Sequence, residues 1–232
     1  MLKKVGVFLL LVSAVVAGSE RPASAQQTLN FTIGGFVPLG EDARVGGDVL
    51  NANLNSLVFD IKDFNGATVG AEWLVPIGKF VEGGAGLSFY RRTVPSVYDC
   101  CVDIDGTEID QDLRLRIIPI AFTVRVLPLG QSSPVQPYFG AGLGILNWRY
   151  SETGEFIDTR GGIFRDRFVA DGTATGPLVL GGLRFAGDTL SAGGEIRYQK
   201  ADANLDDDRF EGTKIDLGGW TYQFNIGVRF GK

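Results

Sequence analysis

Residues 220–230 read WTYQFNIGVRF. Trp220, Tyr222, Phe224, Ile226, Val228 and Phe230 take every second place, and Thr221, Gln223, Asn225, Gly227 and Arg229 take the places between. Successive side chains of an extended strand point to opposite faces, so this alternation specifies a strand with one apolar and one polar face. It runs for eleven residues, 220 to 230, where strands of soluble domains centre near about five or six. Such a strand needs a different solvent on each side.

The pattern recurs along the chain. Leu29, Phe31 and Ile33 alternate with polar or small residues, as do Ala67, Val69, Ala71, Trp73 and Val75, and then Val81, Ala85, Leu87 and Phe89. Ile118, Ile120, Phe122, Val124 and Val126 form the next run, followed by Phe139, Ala141, Leu143 and Ile145. Residues 174–185 form a run of unresolved phase, and Ile196 with Tyr198 precedes the final stretch. The count is about eight strands, with no helical period between them.

Connections alternate in length. Residues 39–64, 93–112, 151–171 and 200–214 are long and polar, while 77–79, 127–136 and 186–188 are short. An antiparallel meander places alternate connections at opposite ends, so all long loops share one end and all short turns the other. Runs of ten residues suit a tilted strand crossing a bilayer, which takes about 9–11 residues. Hydrocarbon leaves no backbone group unpaired, so the sheet has to close. The expected fold is an all-β, closed, antiparallel up-and-down transmembrane β-barrel. Its 220–230 apolar face meets lipid, and its interfacial aromatic belt is drawn from Trp73, Phe89, Tyr138, Trp148, Tyr198, Trp220 and Phe230.

The chain starts with Lys3 and Lys4, an apolar run over 5–17, and Ala23, Ser24 and Ala25. That order reads as a secretory signal peptide over 1–25, with the barrel domain over 26–232. A formal net charge of −5 argues against nucleic acid as a partner.

Two stretches, QPYFGAGLGI over 136–145 and FNIGVRF over 224–230, resemble small Gram-negative outer-membrane β-barrels of the OmpA-like and opacity-protein-like kind. The resemblance implies a cell outer-membrane address. It also implies contact with outer-membrane lipids, lipopolysaccharide included, and delivery by the barrel insertion machinery. That machinery reads a terminal aromatic residue in the family; here Phe230 is followed by Gly231 and Lys232.

Barrel enzymes of this kind use a histidine, and the chain contains none. Lys62, Lys79, Lys200 and Lys214 lie in expected loops or turns without a serine motif beside them. No catalytic, cofactor-binding or metal residue is therefore assigned, and an enzyme is not expected. The polar faces carry Glu72, Glu82, Arg125, Glu195, Arg197 and Arg229, which are expected to form an interior ion network. Glycines at 84, 86, 140, 142 and 144 are expected to make room for long side chains nearby. Cys100 and Cys101 are adjacent in a long loop; a neighbour bond, free thiols and a bond to another chain are all open. The acidic stretches 103–112 and 202–212 read as a solvated surface or a loose divalent-ion site. The expected function is a structural or surface-interaction barrel whose acidic loops meet an unknown ligand. The alternatives are a narrow channel or transporter for small solutes, and a soluble lipocalin-like barrel binding a lipophile.

Overall fold

The computed structural model describes residues 26–103, 105–158, 160–205 and 208–231. The signal peptide expected over 1–25 lies outside the described residues. Eight long strands form the wall: β1 (Gln27–Pro38), β2 (Gly66–Pro76), β3 (Val81–Val102), β4 (Glu108–Val126), β5 (Val135–Ile157), β6 (Ile163–Ala186), β7 (Leu190–Gln199) and β8 (Gly219–Phe230). Each pairs antiparallel with its sequence neighbour, and β1 pairs with β8 from Gln27 opposite Phe230 to Pro38 opposite Gly219. That last pairing closes the barrel, so neither terminal strand is left with an open edge.

The outer face is apolar over a continuous belt. Phe31, Ile33, Val69, Leu87, Phe122, Val124, Phe139, Leu143, Val179, Phe185 and Ile226 are each 50–63% exposed, and Tyr222 and Phe224 are about half exposed. So much exposed apolar surface is not tolerated in water and is what hydrocarbon requires. The face assignment for 220–230 agrees with this belt. Tyr138 and Trp148 do not join it: both turn inward, with 4% and 2% of their surface exposed. They sit at even positions on β5, opposite in phase to outward Phe139 and Leu143, so the alternation itself excludes them from the lipid side.

The strands differ in height. β3 to β6 have 19 to 24 residues, whereas β1, β2, β7 and β8 have 10 to 12. Much of what reads as loop over 93–112 and 151–171 is therefore strand, rising past the belt as two long hairpins. The polar outer residues of these hairpins hide the period, but the inner ones keep it: Ile109, Leu113, Leu115 and Ile117 are all buried.

The low side of the rim supplies the two remaining long loops. Residues 39–64 carry a one-turn helix, α1 (Val49–Asn53), two 3-10 turns (Glu41–Ala43 and Ile61–Phe64) and a short strand (Leu57–Val58) paired to β3. Residues 200–218 carry a small hairpin, Asp202–Asn204 with Lys214–Asp216. Both loops pack against the inner face of the tall wall. Val49, Leu50, Phe64, Phe210 and Ile215 from the loops join Val94, Leu113, Leu115, Trp148 and Tyr150 from the wall in one apolar core. Buried polar groups fix the loops to each other. Asp48 caps α1 by accepting from Leu50 N and Asn51 N, and it also accepts from Arg44 Nε at 2.6 Å and Asp216 N at 2.6 Å. Arg44 then donates to the Asp216 carbonyl oxygen at 2.9 Å. Tyr90 on the wall donates to the carbonyl oxygen of Phe64.

Candidate functional site

Below this core, toward the short turns, the interior changes character. Alternation turns Glu72 of β2, Glu82 of β3, Arg125 of β4, Arg184 of β6, and Glu195 and Arg197 of β7 to the inside. Three carboxylates face three guanidinium groups, so formal charge balances at zero. Arg125 is at the centre, with a side chain 1% exposed. Its Nη2 pairs with Glu72 Oε2 and, at 2.9 Å, with Glu195 Oε2, while Nη1 lies 3.8 Å from Glu82 Oε1. The register puts Glu82 directly opposite Arg125 across the β3–β4 pair.

Arg184 completes one side. It grips Glu82 with both ends of its fork, at 3.2 and 2.9 Å, and its Nε donates to Gln136 Oε1 at 2.8 Å. Gln136 in turn donates to the carbonyl oxygens of Gln131 and Ser133, tying the cluster to the 127–134 turn. Arg197 completes the other side, donating to Glu195 Oε1 from Nη2 at 2.8 Å and reaching Glu72 Oε1 at 3.5 Å. Tyr138 donates to Glu195 Oε2, and the Arg125 guanidinium lies 5.0 Å from its ring centroid. Gln223 donates to Glu195 Oε1 at 2.9 Å.

The glycines have a matching role. A Cβ on Gly86 would stand 3.2 Å from Glu72 Cγ, and one on Gly140 would stand 3.1 Å from Arg125 Cγ. One on Gly182 would strike the Tyr138 hydroxyl. Small residues on neighbouring strands thus give the long side chains their room. An eight-stranded interior is only just wide enough for such a filling.

Five of the six expected network residues, Glu72, Glu82, Arg125, Glu195 and Arg197, meet in this cluster. Arg229 does not. It lies near the turn end of β8 and donates to the carbonyl oxygen of Gly187. Alternation alone put it on the polar face; its height on the strand keeps it from the centre. Arg184, which sequence reading passed over, takes the third cationic place. Its phase was obscured because Leu178, Val179 and Leu180 are apolar on both faces of β6.

The arrangement holds buried charge in balance. Each carboxylate is engaged by arginine, and no nucleophile and base stand together among these groups. Among the described residues no cluster of His, Cys, Asp or Glu could hold a metal ion. Cys100 and Cys101 are joined by a disulfide at the exposed end of β3, far from the cluster in sequence and height.

No family model matches the sequence, and no curated protein matches it. Solved structures match the fold. The outer membrane protein OprG from Pseudomonas aeruginosa superposes with a TM-score of 0.53 at 13% identity, covering 89% of this chain and 96% of that one. The fold is that of a small outer-membrane β-barrel. Neisserial surface protein A is also similar, with a TM-score of 0.46, 13% identity, and coverage of 88% and 97%. The closure of β1 on β8, the eight long strands and the exposed apolar belt agree with that fold.

Proposed function

We propose that the protein is a non-enzymatic barrel of the outer membrane, acting through its outer loops and tall hairpins while its interior stays closed. The observation that carries this reading is the filling of the lumen by two unlike layers. The turn-side layer is the balanced cluster of Glu72, Glu82, Glu195, Arg125, Arg184 and Arg197. The loop-side layer is the apolar core to which residues 39–64 and 200–218 contribute. An ion crossing the barrel would have to part both.

Opening the lower layer is costly. Withdrawing one arginine leaves three buried carboxylates against two guanidinium groups, and an uncompensated buried charge costs about 3–5 kcal/mol in comparable buried pairs. A soluble lipophile carrier would need apolar groups inside and polar groups outside across the belt, and the belt has the reverse arrangement. The absence of histidine from the sequence supports a non-enzymatic role.

The test is electrical. The unmodified protein in a planar bilayer should give no steady current above background. Large, regular single-channel steps would replace this reading with a channel.

A further inference from the structure

The outer wall of β3, β4 and β5 carries three arginines in one cross-strand row. Arg91 is directly opposite Arg116, and Arg116 is directly opposite Arg149. Alternation turns all three outward, as it does Arg114 two residues further up β4. Like charges facing each other across paired strands repel, so a bare row of this kind is unfavourable. Arg91, Arg116 and Arg149 take part in none of the described ion pairs. Arg116 Nε is buried without a hydrogen-bond partner. Asp171 stands opposite Arg149 on β6 without making an ion pair to it.

The height of the row is informative. On β3 the arginine takes the next outward place after Phe89, and on β4 the next outward place beyond Ile118; on β5 the outward polar Asn147 lies between Ile145 and Arg149. Each arginine also lies ten positions from one lower register row, 91 from 81, 116 from 126 and 149 from 139. That row is Val81 and Val126, at the turn ends of β3 and β4, with Phe139, four residues into β5. Ten residues of tilted strand is about one bilayer crossing. The row therefore sits at the loop-side edge of hydrocarbon, where lipid headgroups begin. Among the described residues the opposite side of the barrel shows no such row; β7 and β8 there present the packed rings of Tyr198 and Trp220, 4.8 Å apart.

We propose that Arg91, Arg116 and Arg149 form a docking site for the phosphate groups of an outer-leaflet glycolipid. Guanidinium forks match phosphate oxygens in pairs, and the bond is strengthened by charge on both partners. The apolar belt directly below would take the acyl chains of the same molecule. A dianionic headgroup relieves the repulsion within the row, to which no described carboxylate makes an ion pair. The inference rests on the membrane reading above and adds the ligand class and its position.

The test uses the full barrel reconstituted in phosphatidylcholine nanodiscs containing either bis-phosphorylated lipid A or the same lipid with both phosphates removed. Retained lipid is measured after exchange into neutral detergent. The R91Q/R116Q/R149Q variant should retain at least about tenfold less phosphorylated lipid than the unmodified protein. Dephosphorylated lipid should be held equally weakly by both. R165Q/R167Q, which removes two arginines higher on the same sheet, should behave like the unmodified protein. Inorganic phosphate alone should not raise the thermal midpoint in detergent; if it does so as strongly as lipid A, the headgroup is not the ligand and the site is wrong. Equal retention by the triple variant would also overturn the site. The substitutions remove surface repulsion, so heat-modifiable electrophoresis should show a folded barrel for each. Protein that never enters the nanodisc would fault the membrane reading instead.

Discussion

One strand contains both halves of the molecule. On residues 118–126 of β4, Ile118, Ile120, Phe122, Val124 and Val126 turn outward while Thr123 and Arg125 turn inward. On residues 109–117 of the same strand, Ile109, Leu113, Leu115 and Ile117 are buried inside, and Asp110, Asp112, Arg114 and Arg116 face out. The geometric phase never slips, but the polarity inverts at the Ile117–Ile118 step. β5 does the same between Leu143 and Arg149: Leu143 faces out, and Leu146, Trp148 and Tyr150 face in. The backbone is one continuous sheet; what changes is the solvent. Below the step, lipid is outside and the interior is polar. Above it, water is outside and the interior is apolar, supplied in part by the loops.

The two halves should therefore fail in different ways. The largest effect belongs to the ionic half. Arg125→Ala strips the central partner from Glu72 and Glu195 and should cost about 3–5 kcal/mol, read by urea unfolding in lipid. A cost below about 1 kcal/mol would mean these carboxylates are not held as charged partners. In the apolar half, Leu113→Ala leaves a cavity in a fully buried core and should cost about 2–5 kcal/mol. Its signature should be faster proteolysis of residues 39–64 with the barrel still heat-modifiable, because the loop core is separate from the belt.

The polarity step predicts a sharp contrast for a single added charge. Ile226→Arg places a guanidinium on the lipid face and should cost about 2–4 kcal/mol near the midplane. Thr153→Arg places it outward on β5 above the belt and should change stability by no more than about 0.5 kcal/mol. Similar costs at both positions would remove the distinction between the two outer solvents. The smallest effect is expected at Arg229. Its described contact is a hydrogen bond to a backbone carbonyl outside the cluster, so Arg229→Ala should cost about 1 kcal/mol or less.

The barrel and its lipid face were legible because hydrocarbon demands an unbroken two-residue period, and 220–230 and 118–126 supply it. Five of the cluster residues were legible for the same reason, being polar on strands whose other face is plainly apolar. Arg184 was not, because Leu178, Val179 and Leu180 give β6 no polar face from which to read a phase. Tyr138 is a belt residue by type, but its even position on β5 turns it inward, where it meets Glu195 and Arg125. The loop-side core had no signal at all. Val49, Leu50, Phe64, Phe210 and Ile215 are scattered through polar loops at no regular spacing, and only the fold brings them to Leu113 and Tyr150. The tall hairpins look like loops in the sequence because their outer faces are charged, yet Leu113, Leu115 and Ile117 keep the strand period.

The central claim is that two independent layers close one lumen. Ion current through four proteins in planar bilayers tests it most directly: the unmodified barrel, Arg125→Ala, a variant with residues 41–63 replaced by a short glycine–serine link, and the combination. Heat-modifiable electrophoresis confirms that each is folded. Steady current should appear only when both layers are broken, in the combined variant. Regular steps from the unmodified protein, or from either single variant, would contradict the two-layer account.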